Sequence, residues 1–294
     1  MKIAKYPNKR ELDALLRRPA IEWDDVEAAA GEILQKVKTG GDAALRELTA
    51  RFDGARLDEL AVSPEEIRMA EKQVTGELKA AIALAARNIE AFHAAQSEKF
   101  PVVETMPGVR CWRRSVPIER VGLYIPGGTA PLFSTVLMLG IPARLAGCRE
   151  VVMCTPPDRT GKVPPVILYA ASVAGIARIF KVGGAQAIGA MTFGTESVPK
   201  VDKIFGPGNR YVLAAKMAVQ KEGVAIDMPA GPSEVLVFAG DSCVPAFVAS
   251  DLLSQAEHDP DAQTVLLTTS PQVLEAVQSG IAKQLKKLPR QEML

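Results

Sequence analysis

From residue 106 onward, short apolar runs alternate with helix-forming stretches, and this alternation limits the fold more than any other feature of the chain. The runs occupy 121–125, 150–154, 178–182, 202–205, 234–239 and 264–268. Helix-forming stretches cover 132–147, 163–174, 185–193, 209–221, 244–258 and 271–288. Strands that alternate with helices bury both faces when they lie parallel with helices above and below, which predicts an α/β fold. Ligands in such folds sit beyond the carboxyl ends of the strands. The turns at those ends are rich in glycine: Pro126-Gly127-Gly128-Thr129-Ala130-Pro131, Gly183-Gly184-Ala185-Gln186 and Gly206-Pro207-Gly208-Asn209. Each opens a helix, where backbone amides can approach an anion. None is GxGxxG, so the standard dinucleotide fingerprint is absent. Three such turns at one sheet edge make a nucleotide or phosphate site as good a reading as ordinary tight turns.

Residues 1–105 read as helical. Asp24 or Asp25 can cap a helix that ends at Gly40-Gly41, and Asp42 can cap the next, which reaches the RFDG turn at 51–54. Ser63-Pro64-Glu65-Glu66 is a capped helix start, predicting one helix to about residue 98. The expected organisation is a helical N-terminal region, 1–105, packing with 237–294 as one α/β domain, and a Rossmann-like domain at 106–236. A chain of 294 residues is long enough for both.

With 35 basic and 34 acidic side chains the net charge is +1, which leaves no field of one sign to hold nucleic acid or an anionic membrane. A small-molecule substrate follows. No apolar run is long enough to span a bilayer and no secretory signal core follows the first basic residues, so the expected location is the cytoplasm. The four cysteines form no CxxC pair and read as free thiols. Cys154 closes a strand, but no basic neighbour in sequence lowers its pKa, and it reads as a buried thiol. His93, on an alanine-rich helix beside Phe92, reads as a packing or surface residue.

The segment 226–258 offers more chemistry. Asp251, Gln255 and His258 are spaced i, i+4, i+7 and share one helical face. A Gln oxygen and a His imidazole so spaced can reach one metal ion, and His suits zinc. Spacing alone favours a solvated polar face ending in a histidine that complements the helix dipole.

Longer motifs carry a resemblance. Ile226-Asp227, AGPSE at 230–234 and SDLLSQAEH at 250–258 are similar to the signature of the histidinol dehydrogenases. So are GLYIPGGTAPLFSTVLM at 122–138, VGGAQAIGAMTFGT at 182–195 and GPGNRYVLAAK at 206–216. The resemblance implies that Tyr124, Gln186 and Asn209 contact NAD, that Ser233 contacts substrate, and that Gln255 and His258 bind zinc and touch substrate. It implies oxidation of histidinol to histidine through a bound aldehyde, with two NAD reduced in turn, in a homodimer. It also places a Glu-His acid–base pair, an aspartate zinc ligand and a histidine from the partner subunit beyond residue 294, so no catalytic residue is identified within these 294 residues. The expectation is a truncated member, inactive alone; a non-catalytic nucleotide- or ligand-binding relative is the competing reading.

Overall fold

A computed structural model of the chain describes residues 2–17, 23–98, 100–127, 131–229, 233–257 and 262–288. It begins with α1 (Lys9–Leu15), opened by a capping box between Asn8 and Glu11. Helix α2 (Asp24–Phe52) bends at Gly41 (φ 51°, ψ −136°), where the sequence predicted a stop. Trp23, not an aspartate, stands at its N-cap. Asp42 lies at the bend, but its carboxylate accepts from Thr195 Oγ1 (2.6 Å) and from the Ser197 N–H and hydroxyl rather than capping its own helix.

Ser63 and Glu66 form the predicted capping box of α3 (Pro64–Gln73). The expected single helix is broken, however: Val74 is extended, and Thr75 Oγ1 accepts the Leu78 N–H at 3.3 Å to start α4 (Gly76–Ala94). An antiparallel hairpin follows, β1 (Val103–Met106) and β2 (Val109–Cys111), turning at Gly108.

The parallel alternation then begins: β3 (Arg120–Tyr124), α5 (Phe133–Ala146), β4 (Glu150–Thr155), α6 (Pro165–Ala174), β5 (Arg178–Lys181), α7 (Gly184–Phe193), β6 (Lys203–Phe205), α8 (Arg210–Val219) and β7 (Ala225–Ile226). The sheet order is β5-β4-β3-β6-β7, all parallel. The winding reverses between β3 and β6, the topological switch point of a doubly wound sheet. Alternate strand residues feed two cores. Val152, Cys154, Phe180 and Ile204 pack with α2, α7 and α8. Val121, Leu123, Met153 and Ile179 pack with α3, α4, α5 and α6. Burial on both faces explains the near-continuous apolar strands. Residues 60–62 run antiparallel along β5, with the Val62 N–H on the Ile179 carbonyl and the Lys181 N–H on the Leu60 carbonyl, both at 2.8 Å.

The last part contains β8 (Glu234–Ala239), α9 (Pro245–Ala256), β9 (Gln263–Thr268) and α10 (Pro271–Leu285). β8 and β9 pair in parallel over six residues, and Val248, Ala249, Leu252, Val273 and Val277 form the core beneath them. Gln263 Nε2 donates to the Leu15 carbonyl at 2.8 Å, tying α1 to β9.

The chain divides into one unit of Glu22–Pro229 and another of Met1–Ile21 with Ala230–Leu294. This differs from the expected grouping of 1–105 with 237–294. The reason is the apolar face of α2, through Val26, Ala30, Leu34, Leu45 and Leu48, which packs onto the five-stranded sheet's own helices. Among the described residues no helix is long and apolar enough to cross a membrane.

Candidate functional site

A cleft of about 800 Å³ lies within the Glu22–Pro229 unit, over the carboxyl ends of the strands. Tyr124, Pro126 and Gly127 reach it from β3, Thr155 and Pro156 from β4, Gly184 and Gln186 from the β5 turn, and Asn209 from the β6 turn. The end of α2 supplies Arg51, Phe52 and Asp53. The three residues expected to contact NAD therefore line one cavity.

Each is held for a local reason. Tyr124 ends β3 and is buried; its hydroxyl accepts the Gly184 N–H at 3.0 Å. Burial pushes its phenol up to about 12, so near neutral pH it is a fixed hydrogen-bond donor and not a base. Gln186 is 2% exposed in the first turn of α7. Gly184 beside it adopts φ +57°, and a Cβ there would meet Gln186 Oε1 at 2.7 Å. Asn209 is the N-cap of α8, where its Oδ1 accepts from the N–H groups of Tyr211 and Val212, both at 3.1 Å. Its amide N–H₂ remains for a ligand.

The third glycine turn is pinned from below by a pair that sequence reading did not single out. The Gly206 N–H donates to Asp227 Oδ2 at 2.8 Å, and its carbonyl accepts from Lys216 Nζ at 2.8 Å. Lys216 also pairs with Asp227. Gly206 has φ +133°, and a Cβ there would lie 2.1 Å from the Tyr124 carbonyl, so the chain crosses the end of β3 only as glycine. The available signal was a lysine on a buried stripe, Val212, Lys216 and Val219 at i, i+4, i+7. Asp53, in the RFDG turn, was also passed over.

The other candidates stand in the second unit. Ser233 is exposed, just before β8, and its carbonyl accepts the Gln263 N–H at 3.2 Å. Gln255 is half-buried near the end of α9, with its Nε2 buried and unpartnered among the described residues. His258 lies outside the described residues. Among the described residues no three His, Cys, Asp or Glu side chains converge as a metal site. One amide oxygen does not hold zinc, which takes three or four ligands. Of the two expected zinc ligands, the described residues include only Gln255. Cys154 is fully buried, and burial pushes its thiol far above the ordinary range, which removes it as a nucleophile. His93 Nδ1 is 2.8 Å from Gln96 Oε1 on the surface of α4.

Switch-point topology, glycine turns and the cleft above them define a Rossmann-like α/β protein with its ligand site at the carboxyl edge of the sheet. The family model for histidinol dehydrogenase matches residues 16–294. A curated histidinol dehydrogenase of Bacteroides fragilis is 57% identical over all of this chain and 68% of its own length. That of Salmonella typhimurium is 55% identical over 94% of this chain and 64% of its own. The crystal structure of histidinol dehydrogenase from Elizabethkingia anophelis superposes with a TM-score of 0.94 at 53% identity, covering 98% of this chain and 66% of that one. The chain belongs to the histidinol dehydrogenase family. It spans about two thirds of the length of the relatives it matches.

Proposed function

We propose that the cleft takes NAD and that the protein takes part in the oxidation of L-histidinol to L-histidine through a bound aldehyde, reducing two NAD, in histidine biosynthesis. The observation that carries this is the convergence of Tyr124, Gln186 and Asn209 on one cavity at the switch point of the sheet. In this reading the Tyr124 hydroxyl and the Asn209 amide donate to the dinucleotide, and Gln186 offers both a donor and an acceptor. The N-termini of α7 and α8 face its negative charge. Ser233, Gln255 and His258 are the proposed substrate contacts, and Gln255 with His258 the proposed zinc ligands. Cytoplasmic location and a homodimer belong to the same reading.

Hydride removal from an alcohol also needs a group to accept the hydroxyl proton, a contribution of roughly 10²–10⁴ in rate. Tyr124 is too firmly protonated for that role. The family resemblance places the acid–base pair beyond residue 294, so the 294-residue chain alone is expected to bind NAD without turning histidinol over. Calorimetric titration with NAD tests the first half: Gln186→Ala should weaken binding about tenfold, and equal affinity would move the site elsewhere. NADH formation with histidinol tests the second. Turnover by the isolated chain at the rate of its full-length relatives would overturn that half. NAD binding with no turnover, even when zinc and the rest of a full-length relative are supplied, would favour a non-catalytic nucleotide-binding relative.

A further inference from the structure

Three buried side-chain polar atoms have no partner among the described residues: Thr49 Oγ1, Asp53 Oδ2 and Gln255 Nε2. Asp53 is the one that stands in the wall of the cleft. It follows the last turn of α2, where its own N–H donates to the Thr49 carbonyl at 2.9 Å, so its backbone is fixed. Its Oδ1 lies against the glycine turn of α7; a Cβ on Gly183 would be 3.3 Å away. Arg51 and Arg159 line the same cleft, yet neither forms an ion pair with it. Burial, with nothing to offset it, pushes the carboxyl up to about 6. Near neutral pH the group is thus mostly an anion whose buried Oδ2 has no donor among the described residues, an unfavourable arrangement for a carboxylate oxygen. Such a group at a cleft wall points to a ligand that brings donors with it.

The donors of a nicotinamide dinucleotide are its two ribose diols, the adenine amino group and the nicotinamide carboxamide. A diol presents two adjacent O–H groups, which match the two oxygens of one carboxylate; an amino group offers no such pair. We propose that Asp53 accepts hydrogen bonds from a ribose diol of the bound dinucleotide and so serves as a recognition residue of the cleft. This rests on the reading that the cleft takes NAD. If the diol is that of the adenosine ribose, the same carboxylate repels a 2′-phosphate, and the cleft prefers NAD to NADP.

The test is calorimetric titration of the wild-type chain, Asp53→Ala and Asp53→Asn with NAD, NADP, AMP and nicotinamide mononucleotide, with thermal unfolding to show that the variants fold. The expected result is NAD binding weakened about tenfold or more in Asp53→Ala. A parallel loss for AMP, with the NAD-to-NADP ratio of Asp53→Asn falling toward unity, places the contact on the adenosine ribose. A parallel loss for the mononucleotide, with that ratio unchanged, places it on the nicotinamide ribose. NAD bound equally by wild type and Asp53→Ala overturns the assignment while leaving the cleft reading intact. No NAD binding by the wild type overturns both.

Discussion

Buried Lys216 pairs with half-buried Asp227 at the turn that presents Asn209, and between them they satisfy the carbonyl and the N–H of Gly206. Removing the Asp227 carboxylate leaves the Lys216 charge buried without compensation, which is expected to destabilise by about 3–5 kcal/mol. Urea denaturation of Asp227→Asn checks this. The double variant Lys216→Met with Asp227→Leu should recover part of the loss; a double variant no better than the single would show that the backbone contacts, and not the stranded charge, dominate. Two other aspartates shift in opposite directions. Burial alone would raise Asp42, but hydrogen bonds from Ser197 and Thr195 outweigh it and hold the carboxyl below 3.8. Its stabilising contribution is present above the unfolded value of 3.8 and is lost as pH falls through the lower folded value. Asp42→Asn should therefore flatten the acid limb of the stability curve. Asp53 is raised from 3.8 to about 6, so the folded state holds its proton more tightly and stability declines as pH rises across that window. Because the group is partly exposed, solvent screens part of this effect; Asp53→Asn should gain on the order of 1 kcal/mol at neutral pH and almost nothing below pH ~4. Denaturation of both variants across that range checks the two signs together.

At the scale of the element, chemistry that is local in sequence was readable and chemistry that is not local was hidden. The capping box at Ser63 and Glu66 uses residues three apart, and it stands where it was expected. The parallel strands were readable because they are buried on both faces and so run apolar. Hairpin β1–β2 escaped because all of its residues are exposed and carry no alternation. The break between α3 and α4 escaped because the alanine-rich sequence around it reads as continuous helix, while the stop lies in one extended residue, Val74, and one threonine cap. Thr75→Ala should lower stability by about 1 kcal/mol in thermal unfolding, as expected for a lost N-cap; no change would mean that packing alone ends α3. Of the site, the glycine turns were legible as turns. The identity of Tyr124, Gln186 and Asn209 as ligand contacts came from resemblance to a family. Gly206 shows why spacing could not supply it: its requirement for glycine comes from the Tyr124 carbonyl, 82 positions earlier in the chain. Gly206→Ala should therefore disturb the end of β3 as well as its own turn, and both unfolding and NAD titration should report the loss.

For the whole molecule, the two units bury their sheets differently. The five-stranded sheet feeds a core on each face. The two-stranded sheet feeds one: Val235, Val237 and Leu266 pack on α9 and α10. On its other face Leu236, Phe238 and Leu267 are 57%, 69% and 53% exposed. Apolar side chains grouped on one sheet face bind dyes and other apolar surfaces, and a two-stranded sheet has little hydrogen bonding of its own to resist rearrangement there. Exposed residues contribute little to folding stability, so the double variant Leu236→Ser with Phe238→Ser should leave the unfolding free energy within about 0.5 kcal/mol of the parent. The same variant should bind less of an apolar fluorescent dye and self-associate less at high concentration. A fall of several kcal/mol on that substitution would mean that these side chains are buried in solution, by a second copy or by the chain itself. A concentration-dependent unfolding midpoint in the parent, absent from the variant, would then identify the second copy as the cover, because only association makes stability depend on concentration.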